Sequence, residues 1–457
     1  MIKKITNRVT LLFICIFPLY GISQSYDFSP FPDDDSLANE MEDYLILNLL
    51  NKWYPTIIDH ENGGFFTNFS ATWQPLSPHP KMIVTQARDM WTACKAAERY
   101  PDESRYLDAA NHGFQFLKDK MWDDEYGGFK TYVDGNSDNS GKSMKTAYGN
   151  AFAIYALAAY TKLTDSSESL NLAKKAFYWL EKHSHDAKYG GYYDHITREG
   201  ISYNSDNFNN TTFPAGMRDA KWKDYNASIH LMEAFTELYQ VWPDSLVRLR
   251  LQEMFHLIRD TFVTNKGFMN LYFEADWTHV SFRNHKKSEI LNNLYYDHVT
   301  FGHDIETAFL LREAAHVLAI ENDSITNSVT KKLVDHTLTW GFDKDFTGIF
   351  EAGYYYSLDE PIQIIKDTKT WWAQAEGLNA LLLYSRLYPQ EQKYKYAFHR
   401  LWQYIKICII DQKNGDWYSQ GIDKEPESKN SRKAYEWKSC YHNGRALMNC
   451  IDMLRTK

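Results

Sequence analysis

Glu61-Asn62-Gly63-Gly64-Phe65, Glu125-Tyr126-Gly127-Gly128-Phe129 and Lys188-Tyr189-Gly190-Gly191-Tyr192 are three copies of one short turn. Weaker copies follow at Asn265-Lys266-Gly267-Phe268, Phe346-Thr347-Gly348-Ile349 and Lys413-Asn414-Gly415-Asp416-Trp417. The key glycines stand at 64, 128, 191, 267, 348 and 415, giving intervals of 64, 63, 76, 81 and 67 residues. One glycine–aromatic turn carries little weight. Six at a fairly steady interval are an internal repeat.

Each turn separates two segments of helical period. Residues 37–53, 106–122, 167–183, 246–262, 325–340 and 391–409 precede the turns; residues 84–99, 147–163, 225–241, 302–320, 371–387 and 435–454 follow them. Phe152, Tyr155, Ala156, Ala159 and Tyr160 have the spacing of a buried helical face, as do Leu231, Ala234, Phe235 and Leu238. Short aromatic runs beside the turns, such as Gly191-Tyr192-Tyr193, read as small β-hairpins. Six helix pairs predict an all-α fold, a single (α/α)6 barrel with one helix of each pair inside and its mate outside. An open superhelix usually repeats every ~34–47 residues, shorter than the interval here.

The remaining chain sets the boundaries. Lys3, Lys4 and Arg8 precede an apolar run at residues 9–20, and Gly21 and Ser23 suit a signal peptidase, so residues 1–23 read as a cleaved secretory signal. The run is too short to span a bilayer comfortably. Residues 24–36 are an acidic leader, and no Pro/Ser-rich linker divides residues 37–457, which read as one domain. Residues 202–217 are polar and asparagine-rich, long enough for a lid. The expected product is an exported protein, periplasmic or extracellular, with no membrane contact after cleavage. Removing three positive charges takes the net charge from −9 to −12, and with no basic run this argues against a nucleic-acid partner. The four cysteines left, Cys94, Cys408, Cys440 and Cys450, make neither a disulfide framework nor a CxxC zinc motif.

The segments after the turns carry polar residues near their N-terminal ends: Arg88, Tyr148, Asn226 with His230, His303 with Glu306, Trp372 with Glu376, and Trp437 leading to His442. One marker per segment (88, 148, 230, 303, 372, 442) gives intervals of 60, 82, 73, 69 and 70, which track the repeat. On an inner ring all six would meet at one mouth. A lone helical histidine is more often structural, and Arg88 alone could serve a neighbouring carboxylate. Equivalent placement in different repeats is what points to a shared pocket. There is no HExxH, no calcium-type loop, no G-x-S-x-G and no phosphate or dinucleotide loop, so neither metal nor cofactor is expected.

Imidazole gives or takes a proton near neutrality. Two such groups flanking one carbon can remove a proton from one face and return one to the other, while an arginine steadies the intervening oxyanion. Tryptophan faces suit sugar rings. The pattern describes proton abstraction beside the carbonyl of a reducing sugar. A glycosidase would need a carboxylate pair, for which Glu306 and Glu376 are candidates. A non-catalytic glycan-binding protein is the remaining class.

At Thr85-Gln86-Ala87-Arg88, Lys145-Thr146-Ala147-Tyr148, Asn226-Ala227-Ser228-Ile229-His230, Gly302-His303-Asp304-Ile305-Glu306, Trp371-Trp372-Ala373-Gln374-Ala375-Glu376 and Trp437-Lys438-Ser439-Cys440-Tyr441-His442-Asn443-Gly444-Arg445, the chain resembles the N-acylglucosamine 2-epimerase superfamily, most closely its cellobiose 2-epimerases. The resemblance implies an (α/α)6 barrel with His303 and His442 as the acid/base pair at C2. It implies that His230 assists ring opening, and that Arg88, Tyr148, Asn226 and Glu306 bind or polarise the C1–C2 oxygens. Trp372 and Trp437 would wall the sugar subsites, with Glu376 beside them. The implied substrate is a neutral oligosaccharide with a free reducing end, converted between glucose and mannose there through a cis-enediolate. N-acyl sugar epimerisation and aldose–ketose isomerisation are the alternatives within the same chemistry. Cys440 stands where cellobiose epimerases commonly have proline.

Overall fold

The computed structural model describes residues 31–133, 144–204, 207–208 and 218–456. The signal segment 1–23, most of the leader and most of residues 202–217 lie outside them. Helix α1 (Asp34–Asp43) begins three residues before the expected start, because the Asp33 carboxylate accepts from the Ser36 amide and caps it. It runs through a π-helical stretch (Tyr44–Leu50) into the short α2 (Asn51–Trp53). Then come α3 (Ile83–Arg99), α4 (Ser104–Phe116), α5 (Ala147–Thr164), α6 (Ser167–His183) and α7 (Tyr225–Val241). They are followed by α8 (Ser245–Leu257), α9 (Lys287–Asp297), α10 (Phe301–Val317), α11 (Ser324–His336), α12 (Trp371–Leu387), α13 (Gln392–Tyr404) and α14 (Tyr441–Arg455).

Helix contacts close a ring. α3 touches α5, α5 touches α7, then α10, α12 and α14 follow in turn, and α14 returns to α3. These six are the inner helices. Each of the first five packs on the outer helix that follows it (α4, α6, α8, α11 and α13), and α14 packs on α1. The chain's two ends therefore complete the last pair. Inner helices are apolar on nearly every side: α5 buries every residue from Ala147 to Thr161. α14 starts at Tyr441 rather than 435, because Tyr435 and Lys438 form a tight bridge just before it. α9 was not anticipated; it lies within the fourth and longest interval, the 81 residues from Gly267 to Gly348.

The six turns join outer to inner helices and are built alike. One bridge spans each: Ile58–Phe65, Trp122–Phe129, His185–Tyr192, Val263–Met269, Phe342–Ile349 and Ile410–Trp417. The expected hairpins are thus single bridges. Two-residue strands instead stitch successive repeats together: β1 (Lys81–Met82) pairs with β2 (Tyr132–Val133), β3 (Lys145–Thr146) with β4 (His195–Ile196), and β5 (Lys223–Asp224) with β6 (Tyr272–Phe273). β7 (Val299–Thr300) pairs with β8 (Ala352–Tyr354), which also holds β9 (Gln363–Lys366). Gly64 has φ +66°, and a Cβ there would lie 2.5 Å from Oε1 of Gln86, which accepts from the Phe65 amide.

A buried ion pair fixes five of the six turns. An aspartate opening the turn meets a lysine that precedes the inner helix: Asp59–Lys81 at 2.8 Å, Asp123–Lys145 at 3.0 Å, Asp186–Lys223 at 2.8 Å, Asp343–Lys369 at 2.8 Å and Asp411–Lys433 at 2.7 Å. Each aspartate also accepts turn amides, such as that of Asn62 on Asp59, so both charges are satisfied away from water. The turns and strands thereby hold the N-terminal ends of the inner helices in one rim.

Candidate active site

Two layers of side chains line the barrel at that rim. The first turns of the inner helices supply Tyr148, Asn226, His303, Trp372 and His442, and the next turns supply Arg88, His230, Glu306, Glu376 and Arg445. Tryptophan Trp437 stands half-exposed in the lead-in to α14, its ring 6.4 Å from that of Tyr148. All ten residues singled out from sequence join one connected cluster.

Arg88 donates to the Tyr148 hydroxyl over 3.0 Å and lies on the Phe152 ring, 4.3 Å from its centroid. Asn226 also bonds that hydroxyl, and burial raises the Tyr148 pKa. The ring of Tyr148 packs edge-on to His230 at 5.3 Å. Across the mouth, Trp372 touches both other histidines, with centroids 4.5 Å from His303 and 5.9 Å from His442. Glycine at 302 makes this possible, since a Cβ there would lie 2.6 Å from the Trp372 ring. Tyr225 closes the other side of His303 at 4.9 Å.

Each imidazole is anchored through Nδ1. His230 Nδ1 lies 2.7 Å from Glu233, His442 Nδ1 2.6 Å from Glu376, and His303 Nδ1 2.9 Å from the Thr300 hydroxyl. The carboxylates make His230 and His442 donate from Nδ1, leaving Nε2 as a lone pair. Thr300 can donate or accept, so His303 can carry its proton on either nitrogen. Burial pulls His303 well below the ordinary histidine value, reinforced by His230 and His442. It does the same to His442, reinforced by Arg88 and Arg445. Both are neutral when resting, as a proton acceptor must be.

Beneath them lies Arg445, a residue sequence reasoning quoted but did not select. Its Nη2 reaches Glu306 at 2.9 Å and Glu376 at 2.8 Å, and its Nη1 bonds Glu233 and the Tyr441 hydroxyl. One cation thus serves three buried carboxylates. Burial pushes Glu306 up to about 7, helped by the Glu376 charge, and raises Glu376. Glu233 is held at about 2: burial opposes, but Arg445, His230 and Tyr441 prevail. The signal was legible as a spacing, since Glu233, Glu306 and Arg445 each follow a site histidine by three residues. Ligand atoms of Glu306, Glu376 and His442 lie within 4.8 Å of one another, a spacing that suits a cation. Arg445 already neutralises those carboxylates, and His442 Nδ1 is engaged by Glu376, so the set favours the guanidinium over a metal. Cys440, at the position where proline was noted, is buried in the wall, 3.7 Å from the Tyr54 hydroxyl.

The family model for N-acylglucosamine 2-epimerase (GlcNAc 2-epimerase) matches residues 64–446. Cellobiose 2-epimerase of Bacteroides fragilis is 27% identical over 423 residues, covering 92% of this chain and 99% of that protein. Cellobiose 2-epimerase of Ruminococcus albus is 27% identical over 417 residues, covering 91% and 97%. The solved structure of cellobiose 2-epimerase from Spirochaeta thermophila superimposes with a TM-score of 0.77 at 25% identity, covering 94% of this chain and 99% of that one.

Proposed function

The chain belongs to the N-acylglucosamine 2-epimerase family and is a carbohydrate epimerase, and from that premise we propose that it interconverts glucose and mannose at the reducing end of a β-1,4-linked disaccharide, cellobiose or mannobiose. The observation that carries the reading is the shared anchoring of three imidazoles by Nδ1 around one lumen, with Trp372 against two of them.

His230 assists opening of the reducing-end ring to the aldehyde. The C2 proton passes to Nε2 of His442, whose imidazolium is then stabilised by Glu376. The electron pair moves onto O1 and gives a cis-enediolate, met by Arg88 with Tyr148 and Asn226. Rotation about C2–C3 presents the opposite face, and His303, which takes up a proton from solvent once the negative enediolate has formed, delivers it there from Nε2 as an imidazolium and returns to neutral. The proton left on His442 passes to solvent and restores the resting state. The reverse direction exchanges the two histidines' roles, which suits the freedom Thr300 leaves His303. Glu306 holds the sugar oxygens beside them. Trp437, at the open mouth, stacks the second sugar.

The acidic balance favours a neutral sugar. Lys3, Lys4 and Arg8 before the apolar run at residues 9–20 support action outside the cytoplasm, periplasmic or extracellular. The test is incubation with cellobiose or mannobiose in heavy water, with EDTA present. A C2 epimer carrying deuterium at C2 is expected. A ketose would instead indicate the isomerase alternative, and monosaccharides would overturn the reading in favour of hydrolysis.

A further inference from the structure

The fourth repeat lacks both halves of the buried ion pair. Thr264 stands where the other turns have aspartate, its amide bonding the Phe268 carbonyl as the Asp59 amide bonds that of Gly64. Val299, the first residue of β7, stands where β1, β3 and β5 have Lys81, Lys145 and Lys223. The turn is one residue shorter, and beside it opens a cavity of about 840 Å³.

A different cation enters from the segment between β6 and α9. Arg283 is only 9% exposed and lines that cavity, its guanidinium over the rings of Phe268 at 5.3 Å and Tyr354 at 5.6 Å. One Nη donates to the Asp297 carbonyl, and Nε has no partner. Among the described residues no carboxylate lies within ion-pair distance of it. The five repeat lysines all have one. The Asp297 charge acts on it only from beyond ion-pair distance, which leaves a buried guanidinium costly, and its planar fork matches a carboxylate. His279, also on the lining, has a buried Nε2 without a partner, and burial pulls it down to about 4, so it acts as a neutral hydrogen-bonding group. Asn265, Asn270 and Asn284 add amides that suit hydroxyls. The lining also holds Lys266, Asp260 and Asp359. Asp260 is taken up by Arg259, and the Asp359 charge disfavours dianions such as phosphate esters.

We propose that this cavity binds a carboxylate-bearing sugar, its carboxylate on Arg283 and its hydroxyls on the asparagine amides. The lining shares no residue with the active site. Binding here would let an acidic saccharide hold or modulate an enzyme whose reaction is on neutral ones.

The probe is methyl β-D-glucuronide, which has no free reducing end and so cannot enter the proposed reaction. Its neutral counterpart, methyl β-D-glucoside, is the control. Titration calorimetry on the full chain should give a dissociation constant below about 1 mM for the glucuronide. The glucoside and the variant Arg283→Met should each bind at least ~10-fold more weakly, the scale of a lost charge-assisted bond. Asn270→Ala, at a partly exposed position, should weaken glucuronide binding about threefold and decides the matter if Arg283→Met does not fold. No saturable glucuronide binding, equal binding of the glucoside, or unchanged affinity in a folded variant would overturn the proposal. None of these outcomes depends on epimerase activity.

Discussion

Nδ1 of His442 lies 2.6 Å from Oε1 of Glu376, which fixes the imidazole tautomer and leaves Nε2 as the lone pair facing the lumen. The same carboxylate oxygen lies 2.8 Å from Arg445, so His442 and the buried cation share one oxygen.

Glu376→Gln tests what that carboxylate does beyond holding a ring. The amide oxygen can still accept from Nδ1, so orientation is kept while the charge that stabilises the imidazolium is lost. Turnover should fall about 10–100-fold with KM nearly constant, the usual cost of losing such a partner. A wild-type kcat would remove Glu376 from the support of His442.

Thr300 holds the second histidine, its hydroxyl 2.9 Å from His303 Nδ1. Thr300→Val removes the only hydrogen bond described for His303 Nδ1, while Thr300→Ser keeps it. The valine variant should lose about 10-fold in kcat and shift its pH–rate profile, and serine should restore both. If valine and serine behave alike, the hydroxyl has a packing role only.

The ring was legible because it is periodic: a glycine turn of fixed design and an apolar helix recur six times, and the site residues sit at one phase of that period. What escaped notice breaks the period or lies below it. α9 is an insertion in a single repeat. The π-helical ends of outer helices, such as Leu117–Met121, look like ordinary helix in sequence. Arg445 lies one turn below His442, where a buried arginine resembles a surface one until its three carboxylate partners are placed around it. Thr300 sits on a strand, outside the helical pattern that selected His303. The Lys–Asp pairs are separated by 22 residues in three repeats and by more in two, and they lie outside the helical segments: Asp59–Lys81, Asp123–Lys145 and Asp411–Lys433 share that spacing, while Asp343–Lys369 and Asp186–Lys223 are longer.

Those pairs should be replaceable together but not singly, as the fourth repeat illustrates with Thr264 and Val299. Lys81→Val alone leaves Asp59 buried with no cation beside it and should cost about 3–5 kcal/mol. Asp59→Thr with Lys81→Val should recover more than half of it in denaturant unfolding. Equal losses in single and double variants would contradict a pairwise lock. The pH dependence follows from the direction of the shifts. Burial pushes Asp59, Asp123, Asp186, Asp343 and Asp411 up, but the lysines and turn amides, with Arg198 foremost at Asp123, bring all five below the ordinary value. Their contribution is therefore present above about pH 4 and lost as pH falls through the lowered values. Each double replacement should flatten that acid limb.

Arg445→Met reverses the sign of that pH dependence. Burial already lifts Glu306 to about 7, with the Glu376 charge adding to it and Arg445 opposing. Burial lifts Glu376 as well, again against Arg445. Without the guanidinium, three carboxylates share one buried space, and protonation is their cheapest relief. A carboxyl whose folded value is raised stabilises most below its unfolded value and loses that contribution as pH rises through the folded one. The variant's deficit should thus be smallest near pH 5 and grow towards pH 8, reaching about 3–5 kcal/mol. Adding Glu306→Gln should return part of it at pH 8 and little at pH 5. Urea unfolding of the three proteins at both pH values checks this, and a deficit independent of pH would show that Arg445 acts there through packing rather than charge.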